Sequence, residues 1–496
     1  MAGISHASQR LTCSTMSSTT SNPLSASATQ RGLQLVIREG MATQSMIILT
    51  GGSLLVALAL KLGASHLQIG IITSIPLFSN VCQVASIYLV QRWQRRKKVV
   101  VLCTSLGRGA YLLIALLPFV DIGSSGVYVI MLALVLQHGL GAVSNGSWSS
   151  WMRDLIPHQT MGAFFSRRLA IVQTISIFLS IATALLLSRV EEQGGAIELN
   201  LYGGFFLVGA LAGLIGAFFL SKTPEPSYQP QRTSLLSLVK LPFRHASFRQ
   251  LMMYMASWNF AVNLATPFFT VYLLETLGFS MAYVIGLTTL SQVFNVFFFR
   301  FWGRYADQYS NKTVLSICAP LYLLCIAGMV FSTLPDVHAA TLPWLVVLHA
   351  VIGIATAGTG LAAGSIGLKL APQEHSVAYL SMLSFTNSLA SGVAPILSGW
   401  LSGYLVTTSL TWQIDLPLLE ETLPLLSLQH WDFLFVLSFI VGWYALYRLR
   451  IVQEEGSVSP RMLIKNWRVK GGRPLSTLTV GPRKESAVPD DQTLSQ

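Results

Sequence analysis

The 496-residue chain is 52% hydrophobic and 10% charged, with a mean hydropathy of +0.58, whereas a soluble domain carries roughly 25% charged residues. So little charge excludes a water-soluble globule, which could not cover its own surface with polar groups. The formal net charge of +12 would suit nucleic acid, but its placement along the chain argues instead for a membrane.

Residues 1–32 are rich in Ser and Thr, contain no acid and lack the apolar core of a secretory signal. They read as a solvated tail; an organellar transit peptide has the same composition and stays open. Apolar runs of about 20 residues then recur, each long enough to cross a bilayer as a helix. Twelve such runs start near Gln34, Leu67, Val99, Gly126, Leu169, Leu201, Leu251, Ala282, Thr313, Pro343, Val377 and Trp431. Lipid offers backbone groups no partners, which leaves helices or a closed barrel. The runs do not alternate polar with apolar, which excludes the barrel.

With the N-terminus placed inside, the outer loops hold Lys61 and Arg189 as their basic residues. They also hold Asp121, Glu191, Glu192, Glu198, Glu275, Asp336, Asp415, Glu420 and Glu421. The inner segments carry "RWQRRKK" (92–98), "SRR" (166–168), a basic linker and a basic tail. This asymmetry puts both termini in the cytoplasm and makes the net charge a topology signal. Its counter-charge is the lipid bilayer's anionic headgroups, and no nucleic-acid partner is expected. Cys13, Cys82, Cys103, Cys318 and Cys325 show no metal-ligand spacing; four lie in spans and read as small packing residues.

The linker "KTPEPSYQPQRTSLLSLVKLPFRHASFRQ" (222–250) divides six spans from six. The expected organisation is a tail (1–32), a six-helix bundle (33–221), the linker (222–250), a second bundle (251–450) and a solvated tail (451–496). The halves match at a shift of about 215 residues. "ALKLGASHLQIGIITS" (59–74) aligns with "LLETLGFSMAYVIGLTT" (273–289), bringing Gly63 to Gly278 and Gly70 to Gly286. "WMRDLIPHQTMGAFFS" (151–166) aligns with "IGLKLAPQEHSVAYLS" (366–381), bringing Pro157 to Pro372 and Ser166 to Ser381.

Twelve spans, six plus six, duplicated about a basic linker, resemble the major facilitator superfamily of secondary transporters. The closest local match is "GRYADQYSNK" (303–312). Gly303, Asp307 and Lys312 fit the family's Gly-x-x-x-Asp-x-x-x-x-Lys/Arg turn, here between the eighth and ninth spans. The copy between the second and third spans keeps Arg92, Arg95, Arg96 and Lys97, but has Ile87 for the glycine and Gln91 for the aspartate.

The resemblance implies an all-α polytopic membrane protein: twelve transmembrane helices in two pseudo-symmetric six-helix bundles that rock about a central site. It also implies a cytoplasmic gate in which Asp307 approaches Arg167 or Arg168 at the start of the fifth span. Gly303 would allow close approach, with Lys312, Arg92 and Arg95 as flanking charges; loop anchoring to lipid is the plainer reading of the basic residues.

The same resemblance makes spans one, four, seven and ten the cavity lining. Polar residues inside a membrane are default site candidates, and those spans offer Gln44, His138, Asn259, Asn263 and His349. Helix–helix hydrogen bonding is an equal reading of each amide. Arg108 lies ten residues past Lys98, roughly 15 Å deep at 1.5 Å per residue. It either ties to Glu39 or to helix carbonyls, or it meets an anionic cargo.

His138 and Glu39 are the candidates for proton coupling. Arg153 and Asp154, at the fourth span's exit, either bond adjacent spans or stay solvated. No phosphate-binding loop or catalytic cluster appears, so neither an enzyme nor a cofactor is expected. The expected function is secondary active or facilitative transport of a small solute by a monomer in the cell's inner membrane, with an organellar membrane as the alternative. A carrier-fold protein that binds pigment or assists membrane-complex assembly without transporting is the second reading.

Overall fold

The computed structural model describes residues 25–93, 95–120, 123–157, 161–191, 195–226, 241–333, 340–372, 376–416, 421–454 and 457. Both expected tails and most of the linker lie largely outside these residues. Among the described residues, ten helices are long and apolar enough to cross a membrane. They supply the first, third to sixth and eighth to twelfth spans. The second and seventh are helical but interrupted. His66–Ser79 passes through a tight turn at Asn80–Val84 into Ala85–Trp93. Ala246–Ala265 is followed by the Thr266–Phe268 turn, where Pro267 removes a backbone donor. The chain is therefore a polytopic, all-α membrane protein.

The first span begins earlier than its apolar run suggests. The Ser25 hydroxyl accepts a hydrogen bond from the Ala28 amide and caps a helix that runs Ala26–Thr50. A helix end facing water tolerates polar residues, so hydropathy alone misses this turn. One consequence is that Glu39 lies mid-helix and is buried.

The duplication seen in the sequence is repeated in local structure. Gly63 and Gly278 both take left-handed backbone, φ +80° and +64°, a conformation open to glycine at little cost. Two residues later Ser65 and Ser280 each cap the following helix, accepting from Gln68 N and Tyr283 N.

It is also repeated in packing. In the N-terminal half the first span packs on the fifth and sixth, the second on the fourth, and the third on the fourth and sixth. In the C-terminal half the seventh packs on the eleventh and twelfth, the eighth on the tenth, and the ninth on the tenth and twelfth. The halves meet through the second and eleventh spans and through the fifth and eighth. Each set maps onto the other by exchanging halves.

Ala26 and Ile451, the outer ends of the first and twelfth spans, lie on one face, opposite the His66–Trp431 contact. There Arg96 bonds Asp154 at 2.5 Å and lies 3.8 Å from Glu225, which also accepts from the Lys97 amide. Arg153 and Asp154 thus resolve in favour of a bond between adjacent spans, made by Asp154 with Arg96. In the other half Glu454 accepts from the Asn311 and Lys312 amides at 3.2 and 2.6 Å. Glu225 and Glu454, each just past the last span of its half, place a carboxylate on the first amides of the third and ninth spans, where the helix dipole favours an anion.

On the opposite, non-terminal face, Lys61 pairs with Glu198 at 2.8 Å. An antiparallel hairpin, Ser409–Leu416 with Glu421–Gln429, joins the eleventh and twelfth spans. The sequence reading had this segment only as an outer loop.

Candidate functional site

The halves are fastened toward the non-terminal face. Ser53 and Thr270 share a hydrogen bond of 2.9 Å, and His66 Nε2 lies 3.0 Å from Glu275 Oε2. The His66 ring also packs on Trp431 at 4.8 Å and on His430 at 5.2 Å. At Gly399 an added Cβ would sit 2.4 Å from the His66 carbonyl, so the second and eleventh spans touch backbone to backbone here.

On the terminal face the expected Asp307 brace is not made. Among the described residues, no hydrogen bond or ion pair joins Asp307 to Arg167 or Arg168; Asp307 and Arg167 are exposed. Arg168 turns inward to Glu39 instead, at 3.2 Å. Lys312 does not reach across the halves either. Its ammonium caps the end of the twelfth span, donating to the Arg450 carbonyl at 3.0 Å and to the Val452 carbonyl. Gly303 faces Leu361 of the tenth span. Arg92 and Arg95 are exposed, and the buried basic residue of their loop is Arg96.

A cavity of about 500 Å³ opens in the N-terminal half, with Trp148 and Arg168 toward the terminal face. Its polar centre is built on Glu39. Arg108 Nη2 donates to Glu39 Oε1 at 3.0 Å and to Thr43 Oγ1 at 2.8 Å, while Nη1 donates to the Gly213 carbonyl at 2.8 Å. Thr43 in turn donates to Glu39. Arg168 holds the other carboxylate oxygen, reaches the Val36 carbonyl at 3.5 Å and lies over the Trp148 ring.

One carboxylate therefore serves two guanidiniums, bringing together the first, third, fifth and sixth spans. The sixth span admits Arg108 because Gly216 faces it: a Cβ there would fall 2.4 Å from Nη1. Of the two sequence readings of Arg108, the tie to Glu39 and to a helix carbonyl is present.

Other candidates are placed differently. His138 lines the cavity. Gln44 donates to Ser176 Oγ at 2.6 Å, a bond between the first and fifth spans. Asn259 and Asn263 donate back to the Met255 and Asn259 carbonyls of their own helix, at 2.7 and 2.8 Å. His349 is buried, with Nδ1 2.9 Å from the Leu345 carbonyl, and does not line this cavity.

Arg168, Thr43 and Trp148 as cavity residues escaped sequence reasoning. Arg168 was legible as a charge but was assigned to the gate. The early start of the first helix, capped by Ser25, was the signal that could have placed Glu39 at the depth of Arg108.

Comparison with known proteins supports the architecture. The Major Facilitator Superfamily model matches residues 40–395 and again 284–442. No curated protein sequence matches the chain. Among solved structures, a mutant form of the nucleoside transporter NupG is similar at TM-score 0.61 and 15% identity, over 86% of this chain and 100% of that one. A D-xylose-proton symporter is similar at 0.59 and 16%, over 87% and 99%. A bacterial homolog to the human lysosomal transporter Spinster, inward-facing and unoccupied, is similar at 0.58 and 15%, over 86% and 96%. At these identities the solved structures speak for the fold, and the family model speaks for the family. The chain belongs to the Major Facilitator Superfamily and moves a small solute across a membrane by alternating access.

Proposed function

We propose that the solute is an organic anion taken up in the cavity beside Arg108 and Arg168, with the terminal face in the cytoplasm. The observation that carries this is the charge count at the cavity centre: two guanidiniums against one carboxylate. A surplus cation in a water-filled cleft with apolar walls concentrates anions. The basic terminal face supports the cytoplasmic assignment, and the inner membrane of the cell is the proposed site. His138, which also lines the cavity, is the candidate group for proton coupling.

The test is uptake of inorganic phosphate, carboxylates and neutral sugars into proteoliposomes, with and without a proton gradient. Anions should move faster than neutral solutes. Arg108→Gln should lower anion uptake by at least about tenfold, the scale of a lost hydrogen bond to a charged group. Equal rates for neutral and anionic solutes, or an Arg108→Gln carrier altered only in stability, would sink the reading.

The Asp307 brace belongs to the opposite state, in which the terminal face is shut. We propose that it forms there with Arg167, which is exposed here, while Arg168 stays with Glu39. Asp307→Ala should slow transport roughly twofold to fivefold, matching the 0.3–1 kcal/mol typical of a carboxylate at a helix N-terminus. Cargo affinity, read by equilibrium binding, should not change. An unaltered transport rate would remove the brace.

A further inference from the structure

Among the described residues, the cavity beside Arg108 is lined by the N-terminal half alone. A solute held by one half alone has little by which to distinguish the two states, because only differential contacts shift a conformational equilibrium. The cargo therefore needs a place where it also meets the C-terminal half. The seventh and tenth spans are poor candidates, since the Asn259 and Asn263 amides donate to their own helix and His349 is packed away.

A second cavity, about 220 Å³, adjoins the first and shares Ile47 with it. It lies between the halves, with the first and fifth spans on one side and the eighth on the other. Three features make it polar at a depth where polarity is costly. The first span breaks there: one helix ends at Thr50, Gly52 takes φ +55°, and the next helix starts at Gly52 with no side-chain cap. Irregular backbone inside a membrane is tolerated where it is buried in protein or lines a cavity, and the new helix start leaves amides without intrahelical partners.

Ser180 is 5% exposed, and among the described residues its hydroxyl makes no hydrogen bond. The neighbouring Thr183 and Thr288, by contrast, satisfy theirs on the Leu179 and Ile285 carbonyls. Gln292 of the eighth span likewise presents an amide that the described residues leave unpaired. A polar group in such a place costs free energy unless something bonds it.

We propose that this cavity is a second subsite of the anion carrier. Ser180, Gln292 and the backbone at Gly51–Gly52 receive the neutral, hydrogen-bonding end of the cargo while its charge rests by Arg108. This rests on the anionic reading above and adds the shape of the cargo. Thr43 lies on the first helix and Gly51 caps its end eight residues later, so the two subsites are roughly 12 Å apart along its axis. The cargo is then an extended organic anion with hydroxyl or carbonyl groups far from its charge, a sugar phosphate being the type. Gln292 becomes the C-terminal half's hold on it.

The test uses two probes in proteoliposomes, glucose 6-phosphate and inorganic phosphate, which share an anionic head and differ in the hydroxylated body. Gln292→Leu and Ser180→Ala should each raise the KM for glucose 6-phosphate about tenfold, the cost of one or two lost hydrogen bonds, and leave inorganic phosphate unchanged. Arg108→Gln should impair both. Ser180→Ala, which removes one atom from a cavity wall, carries the test if Gln292→Leu does not fold.

If the wild type carries phosphate but not the sugar phosphate, or if the variants affect both probes alike or neither, the subsite is overturned and the anion reading stands. If the wild type carries neither anion while moving neutral sugars, both fall.

Discussion

Glu39→Gln is expected to cost about 3–5 kcal/mol of stability, because removing one partner of a buried ion pair leaves its charge uncompensated. Here two charges are left. Glu39 is 4% exposed and holds Arg108 and Arg168 on separate oxygens. With the amide in its place, two guanidiniums face each other across the junction of four spans.

Thermal unfolding in detergent, followed by tryptophan fluorescence, measures the loss. The double variant Glu39→Gln with Arg108→Met should recover much of it. Replacing a buried charge pair by neutral groups of similar volume is often neutral or stabilising, and Arg168, the more exposed of the two arginines, can turn to water. The double variant should nevertheless fail to transport anions. A Glu39→Gln protein as stable as the wild type would show that the carboxylate does not hold these helices together.

Acidifying the non-terminal face is expected to open its closure, and His430→Phe to abolish that response. The closure brings His66 from the second span, Glu275 from the end of the seventh and His430 from just before the twelfth into one cluster. Asp432 follows on the same element, its Oδ2 held by the Gln429 amide. His430 sits at φ +34°, the positive-φ residue other than glycine among those described, and its Nε2 is buried without a partner. Burial first, then the His66 charge, pulls the His430 pKa from its ordinary 6.5 to about 4; Glu275 and a bond to the Ser402 backbone oppose this.

A parted His430 therefore binds protons below about pH 6.5 that the closed one refuses until about pH 4. The closed cluster has its full strength above pH 6.5 and loses it progressively as pH falls toward 4. His430→Phe keeps the ring packing and removes the proton site. Spin labels at the exposed Phe119 and Val406, one on each half, should move apart in the wild type between pH 7.5 and 4.5. They should stay together in the variant. Identical pH responses in the two would exclude His430 as the sensor.

The membrane class, the helical class and the duplication were legible because each rests on local, periodic chemistry. An apolar run must be a helix in lipid, and a basic segment cannot easily be moved across it. The paired devices at Gly63–Ser65 and Gly278–Ser280 survive as a match in sequence because turn and cap chemistry is written in single residues. The hairpin at 409–429 was less visible, since outer-loop strands compete with a much stronger hydropathic signal. The non-transporting alternative lost its footing once the family was established.

What each polar residue bonds was not legible. Arg108 was singled out for its depth, but its partner depended on how far the first helix extends and how the first and third spans stand side by side. Arg168 looked like a gate charge from its position at a helix start. Only packing shows it turned toward Glu39, while Asp307 makes no side-chain bond among the described residues. Hydropathy and residue spacing act along one chain segment, so the sequence by itself determined the spans and their repetition. The pairing of Glu39 with two arginines, the fastening at His66 and the cavity at the helix break were decided by tertiary structure. Each joins atoms from helices far apart in the chain, whose rotation and register are set by packing between spans and, at the interface of the halves, by the conformational state.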